Sequence, residues 1–191
     1  MNDITIKEFK QEYILKTLVQ QTQFEQWLKF TFYLNSKLHK EYDTIYQDAF
    51  YVKIYEVLTE GLEYANKVYR SLMQGNNVQK TIWYLNLING LGKIKSDLDE
   101  SEFLYIEYRR HIASHIFQNQ YESIQDNLKI KKFRKNNNLK EINEKLKSMI
   151  VKYDSDRKID DYLNKKLHLE LTKIYDSLIS KSPIPDINES H

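Results

Sequence analysis

Residues 51–72 read YVKIYEVLTEGLEYANKVYRSL. Within them Tyr51, Ile54, Leu58, Gly61, Ala65, Val68 and Leu72 recur in steps of three and four. That spacing brings side chains onto one face of an α-helix and is incompatible with the two-residue period of a strand. It predicts one long helix, closed by Gly75-Asn76-Asn77, residue types that tolerate left-handed backbone. Gly61 inside a helix costs about 1 kcal/mol against Ala. Its place on the apolar face therefore marks a close approach by another helix rather than a break.

The same period recurs on both sides of this segment. Trp27, Thr31, Leu34 and Leu38 form one stripe, and Val78, Ile82 and Leu85 begin another. Leu139, Ile142, Leu146, Met149 and Tyr153 form a third, and Ile159, Leu163, Leu167, Leu171, Ile174 and Leu178 a fourth. A shorter first helix bears Phe9, Tyr13, Ile14 and Leu18, with Asp3 or Thr5 as its cap. Ser155 reads as an N-cap, and Ser96 with Asp99 three residues on has the spacing of a capping box. No segment alternates as a strand. The expected fold is all-α, an antiparallel up-and-down bundle of about six to eight helices. One domain is expected over about 1–181, with a helical extension from about 139 and a flexible tail over 182–191.

Composition narrows the function. The 191 residues include four Gly, two Pro and no Cys. So few turn residues disfavour an all-β chain. The absence of Cys removes disulfides, thiolate nucleophiles and Cys-ligated metal, and fits a reducing, cytoplasmic setting. Twenty-nine Lys and Arg face 27 Asp and Glu, so nucleic acid would have to be bound by a local patch rather than by overall charge. No apolar run approaches the roughly 18 residues that cross a bilayer, so no membrane partner is expected.

One stretch departs from this pattern: Tyr108-Arg109-Arg110-His111-Ile112-Ala113-Ser114-His115. On a helix of about 97–118, His111 and His115 fall one turn apart in line with Leu104 and Tyr108. Arg110 lies on a second line with Phe103, Ile106, Ala113 and Phe117. A helix with two apolar stripes must be covered on most sides. A second copy of the chain, meeting Phe103, Ile106 and Phe117, would cover the second stripe. Two other readings of the stretch stand beside this one. Arg109, Arg110 and the His pair suit surface ion pairs, and Glu107, His111 and His115 occupy successive turns of one face, as metal ligands would. The His-Glu-x-x-His arrangement of zinc enzymes is absent, and no metal is assigned.

Arg110-His111-Ile112-Ala113-Ser114-His115 resembles the motif of the HEPN superfamily, an Arg followed after four to six residues by a His, with a polar residue next to the Arg. Arg109 also stands at a permitted spacing; Arg110 is preferred because His111 fills the polar slot beside it. The resemblance implies a metal-independent endoribonuclease without a cofactor, or an inactive relative that binds RNA or a protein. It further implies a homodimer joined along the motif helices, and a role in toxin–antitoxin pairs, abortive infection or antiviral defence, with an antitoxin as possible partner. Catalytic residues would be Arg110, His115 and His111. In one subgroup a Tyr two residues after the His is the site of modification; here Phe117 stands there and has no hydroxyl to modify.

The side chains suit that chemistry. Imidazole titrates nearest neutral pH, so His115 can take or give a proton. A guanidinium holds two phosphate oxygens in a fixed fork. Lys129, Lys131, Lys132 and Arg134, with Arg109, would form a basic path for the phosphates of RNA.

Overall fold

The computed structural model describes residues 6–40, 43–114 and 156–181, together with residues 144, 148, 184 and 185. Among these residues there is no strand, and the regular elements are helices α1 (Ile6–Lys40), α2 (Thr44–Glu56), α3 (Leu62–Leu72), α4 (Val78–Asp97), α5 (Glu100–Ser114) and α6 (Asp156–Ile174). A π-helical turn, Val57–Gly61, joins α2 to α3 without leaving helical backbone, so residues 44–72 form one rod. A second π turn, Tyr175–Ile179, extends α6. Five helical rods thus make up the described residues.

The stripe that predicts the 44–72 rod is buried along its length, with Tyr51, Ile54, Leu58 and Ala65 fully enclosed. Gly61 lies against α1, where a methyl group would stand 3.2 Å from Cε2 of Phe24. The close approach expected at this glycine is therefore present. Gly75 does not adopt left-handed backbone. The turn after α3 instead hands over to Asn77, whose side chain accepts from the Lys80 amide and caps α4. Asp43 caps α2 in the same way, accepting from the amides of Ile45 and Tyr46.

Three local expectations are corrected. The two helices read in residues 9–38 are one, because no Gly or Pro interrupts residues 6–40 and nothing stops the first from running into the second. Val78, Ile82 and Leu85 face outward; α4 instead buries Trp83, Tyr84, Leu87, Leu91 and Ile94, the larger of its two apolar stripes. The capping box begins three residues later than Ser96. Asp99 accepts from the Glu102 amide and Glu102 accepts from the Asp99 amide, whereas the Ser96 hydroxyl bonds back to the Lys93 carbonyl within α4.

The fourth stripe needs no correction: Ile159, Leu163, Leu167, Leu171, Ile174 and Leu178 are all buried. At Gly90 a Cβ would stand 2.8 Å from Cγ1 of Ile174, so the missing side chain sets how closely α4 and α6 pack. The indole of Trp83 donates to the Leu178 carbonyl across the same contact. Ile184, in the stretch expected to be a flexible tail, is half-buried against the core. The stripe Leu139–Tyr153 and the caps Asp3, Thr5 and Ser155 lie outside the described residues. Among the described residues no helix is long and apolar enough to cross a membrane.

Candidate functional site

Helix α5 carries the Arg-Arg-His segment, packs against α2 and is joined to α6 by buried side-chain hydrogen bonds. Its residues 102, 105 and 109 share one face, and each meets a partner from another helix. Glu102 is 1% exposed and binds Lys166 of α6 at 2.6 Å. Tyr105 is fully buried and donates to Oδ1 of Asp160.

Arg109 is the centre of this network. Its Nη1 donates to both carboxylate oxygens of Asp160, at 3.1 and 2.9 Å, and to the Tyr105 hydroxyl at 3.1 Å. Its Nη2 donates to Oδ1 of Asp48 at 2.8 Å. The guanidinium carbon lies 5.1 Å from the Tyr51 ring centroid, and Tyr51 itself donates to Asp160. Alongside, Gln47 and Asn164 exchange two side-chain hydrogen bonds, of 3.1 and 2.6 Å. Three helices that share few sequence-local contacts are thus joined through polar groups that satisfy one another, the condition under which burying charge is tolerated.

The electrostatics follow from that geometry. Burial pushes the Arg109 guanidinium down, but Tyr105, Asp160 and Asp48 outweigh it and hold the group above its ordinary range. Burial pushes the Asp160 carboxyl up, and Arg109 with the two tyrosine hydroxyls pulls it back only in part. Burial, and then the Asp160 carboxylate, hold the Tyr51 hydroxyl protonated well above its usual range.

This corrects the placing of Arg109 on an RNA-binding path. One cation faces two carboxylates, so the local charge is negative, and the Arg109 side chain is only 11% exposed. A phosphate would be repelled there and would find the fork already occupied.

Arg110 stands apart from this network. It is half-buried, with its guanidinium carbon 5.5 Å from the centroid of Tyr55. Tyr55 in turn donates to Glu107 at 2.8 Å, so Glu107, which by sequence shares a face with His111 and His115, is bound to α2. His111 lies on the α5 backbone. His115, Phe117, Lys129, Lys131, Lys132 and Arg134 lie outside the described residues.

Ile106, expected to meet a second copy of the chain, is fully buried in the chain's own core. Its assignment to a dimer interface is corrected for that reason: the apolar surface of a residue with no exposure cannot be covered by another molecule. Phe103 is half-buried and packs within the chain, 5.8 Å from Tyr55 between ring centroids, with the Lys95 ammonium 5.5 Å from its ring.

No local pattern marks the Arg109 network, because its partners lie 51 and 61 residues away. The one available signal was the pair Asp160 and Asn164, polar residues directly beside Ile159 and Leu163 at the inner face of α6.

A second feature joins α1 to α6. The imidazoles of His39 and His168 stack with centroids 3.8 Å apart and planes 8° from parallel. His168 Nδ1 lies 3.2 Å from Oδ1 of Asn35. Asp161 and Lys165 line the same recess. Burial, and then His39, lower the His168 pKa from 6.5. The folded state therefore binds this proton less readily than the unfolded chain. Its contribution to stability is complete above about pH 6.5 and is lost as pH falls through that value toward the lowered one. The expected result is a denaturation midpoint that falls between pH 7 and 5 more in the wild type than in His168→Gln. Parallel profiles for the two proteins would refute it. Among the described residues, no group of three or more His, Cys, Asp or Glu is placed to hold a metal ion.

No protein-family model matches the chain, and no significantly similar curated protein or solved structure was found.

Proposed function

We propose that the protein is a metal-independent endoribonuclease of the HEPN type, built on an antiparallel bundle of six to eight helices that includes the five described rods. The observation that carries this reading is the division of labour between adjacent arginines. Arg109 is held by Asp48 and Asp160, and Arg110 is the arginine with a polar neighbour at the next position and His115 five residues on.

In this reading the 2′-hydroxyl of RNA attacks the adjacent phosphorus while a proton passes from that oxygen to His115 or its equivalent. Negative charge grows on the non-bridging oxygens, where the Arg110 fork is most effective because it strengthens as that charge develops. The 5′-oxygen takes a proton from the imidazolium of the second His115, supplied by the homodimer, and leaves, giving a 2′,3′-cyclic phosphate and a 5′-hydroxyl. His111 orients His115 or the phosphate. Lys129, Lys131, Lys132 and Arg134 guide the RNA by its backbone. A cytoplasmic defence or toxin role, with an antitoxin as partner, rests on the family resemblance alone.

The test is cleavage of mixed RNA by wild type and His115→Ala with a chelator present. The wild type should cut and leave cyclic phosphate ends, and His115→Ala should lose at least about 10²-fold, the usual size of an acid–base contribution. Equal cleavage by both proteins, or cleavage abolished by the chelator, refutes the proposal. No cleavage by either leaves a non-catalytic HEPN-like helical module that binds RNA or a protein.

A further inference from the structure

Helix α4 buries one apolar row and leaves the other bare. Val78, Ile82 and Leu85 are 68%, 51% and 37% exposed. The same row continues through Asn89, Gly92 and Ser96; Asn89 and Ser96 are exposed and Gly92 is half-buried. The steps run four, three, four, three and four, so the six positions share one face along nearly the whole helix. None of the six is charged.

The two glycines of α4 differ in a way that bears on this face. Gly90 is accounted for within the chain, because a Cβ there would stand 2.8 Å from Cγ1 of Ile174. At Gly92 a Cβ would meet nothing within 4 Å among the described residues. A glycine in mid-helix weakens the helix relative to Ala, and no neighbour within the described fold calls for this one. Its effect is a notch in the outer surface of α4.

The spacing of the row is the same read from either end. Two copies of α4 laid antiparallel across a twofold axis at the level of Leu87 would therefore set Val78 over Ser96, Ile82 over Gly92 and Leu85 over Asn89. The large apolar half of one face meets the small half of the other, as a ridge fits a groove. The charges agree with this pairing. Lys93, Lys95 and Asp97 of one copy would fall opposite Thr81, Gln79 and Asn77 of the other, so no like charges meet. A parallel pairing would set each large residue against itself and each lysine against a lysine.

We propose that this face of α4 joins two copies of the chain antiparallel across a twofold axis, with Ile82 seated in the notch at the partner's Gly92. The contact goes beyond the nuclease reading and includes neither Arg110 nor His115. One helix face is small for a specific interface, so the association should be reversible at about micromolar concentrations.

The test uses the full-length protein in sedimentation over a range of concentrations. The wild type should self-associate, and Ile82→Asp and Leu85→Asp should each show half the wild-type mass at the highest concentration. Both side chains are at the surface, so melting temperatures taken at dilutions where the wild type is dissociated should stay in place. Gly92→Ala should move two readouts in opposite directions. Open space lets the new methyl strengthen the helix, so its melting temperature at those dilutions should rise. Its self-association should weaken about tenfold or more, because the methyl overfills the notch that takes the partner's Ile82. The chain has no cysteine, so oxidative cross-linking reads the register: a mixture of Leu85→Cys and Asn89→Cys chains should form a mixed disulfide dimer faster than either chain alone. A wild type of single-chain mass at every concentration overturns the proposal, as does a mass unchanged in both Asp variants. Cross-linking of Leu85→Cys alone as readily as the mixture overturns it too. So does a monomeric wild type in which Ile82→Asp lowers the melting temperature, the result expected if residues 115–155 of the same chain cover this face.

Discussion

Asp160→Ala should cost the fold about 3–5 kcal/mol, the range for removing one partner of a buried ion pair. Asp160 is 1% exposed and accepts hydrogen bonds from Arg109, Tyr51 and Tyr105. Its loss leaves a guanidinium facing a void, with Asp48 as its remaining carboxylate and the Tyr105 hydroxyl as a neutral acceptor. Domains are commonly stable by about 5–15 kcal/mol, so the variant should sit near its unfolding threshold. The measurement is a urea midpoint at unchanged slope. A double-mutant cycle separates attraction from desolvation. Arg109→Met and Asp160→Leu should each destabilise strongly, and together should cost less than their sum, because the double variant no longer buries an uncompensated charge. Strict additivity would mean that the two groups do not depend on each other, contrary to the 2.9 Å contact between them.

The second large effect separates Arg109 from Arg110. On the proposed function, Arg110→Ala should reduce RNA cleavage about 10²–10³-fold, the size found when one preorganised donor to a developing oxyanion is removed. Read per folded molecule, that loss should persist, whereas Arg109 is bound to two carboxylates and two aromatic faces and acts on the fold. Arg109→Ala should instead lose stability, with activity falling only as the folded fraction falls. Arg110→Lys should also be impaired, since an ammonium has no planar fork. The reverse pattern, with a stable and inactive Arg109→Ala beside an active Arg110→Ala, would move the motif to Arg109 and refute the assignment.

The sequence was most informative where burial has a clean helical period. The six residues from Ile159 to Leu178, and the seven from Tyr51 to Leu72, are buried as that period requires. Phase was harder than period. Helix α4 has two apolar rows, and Val78, Ile82 and Leu85 lost the interior to a row that includes Trp83 and Tyr84, whose rings bury more area. The capping box was legible as chemistry and displaced in position, because Ser96/Asp99 and Asp99/Glu102 share one spacing and only the carboxylate pair closes it. Around the basic doublet, local spacing carried no information about which arginine turns inward. That depended on Asp48 and Asp160, which the chain brings from two other helices. Ile106 shows the same limit: its place on a second apolar stripe implied a cover from another copy, and the chain's own core encloses it.

The clamp between α5 and α6 has a consequence for inheritance. An acid at position 160 is tolerable only while a base occupies 109, and the base only while the acid remains. Single changes at either place should be purged, while a paired exchange to two apolar residues would pass. In any lineage that keeps this architecture, the two positions should therefore drift together or not at all, although 51 residues separate them along the chain.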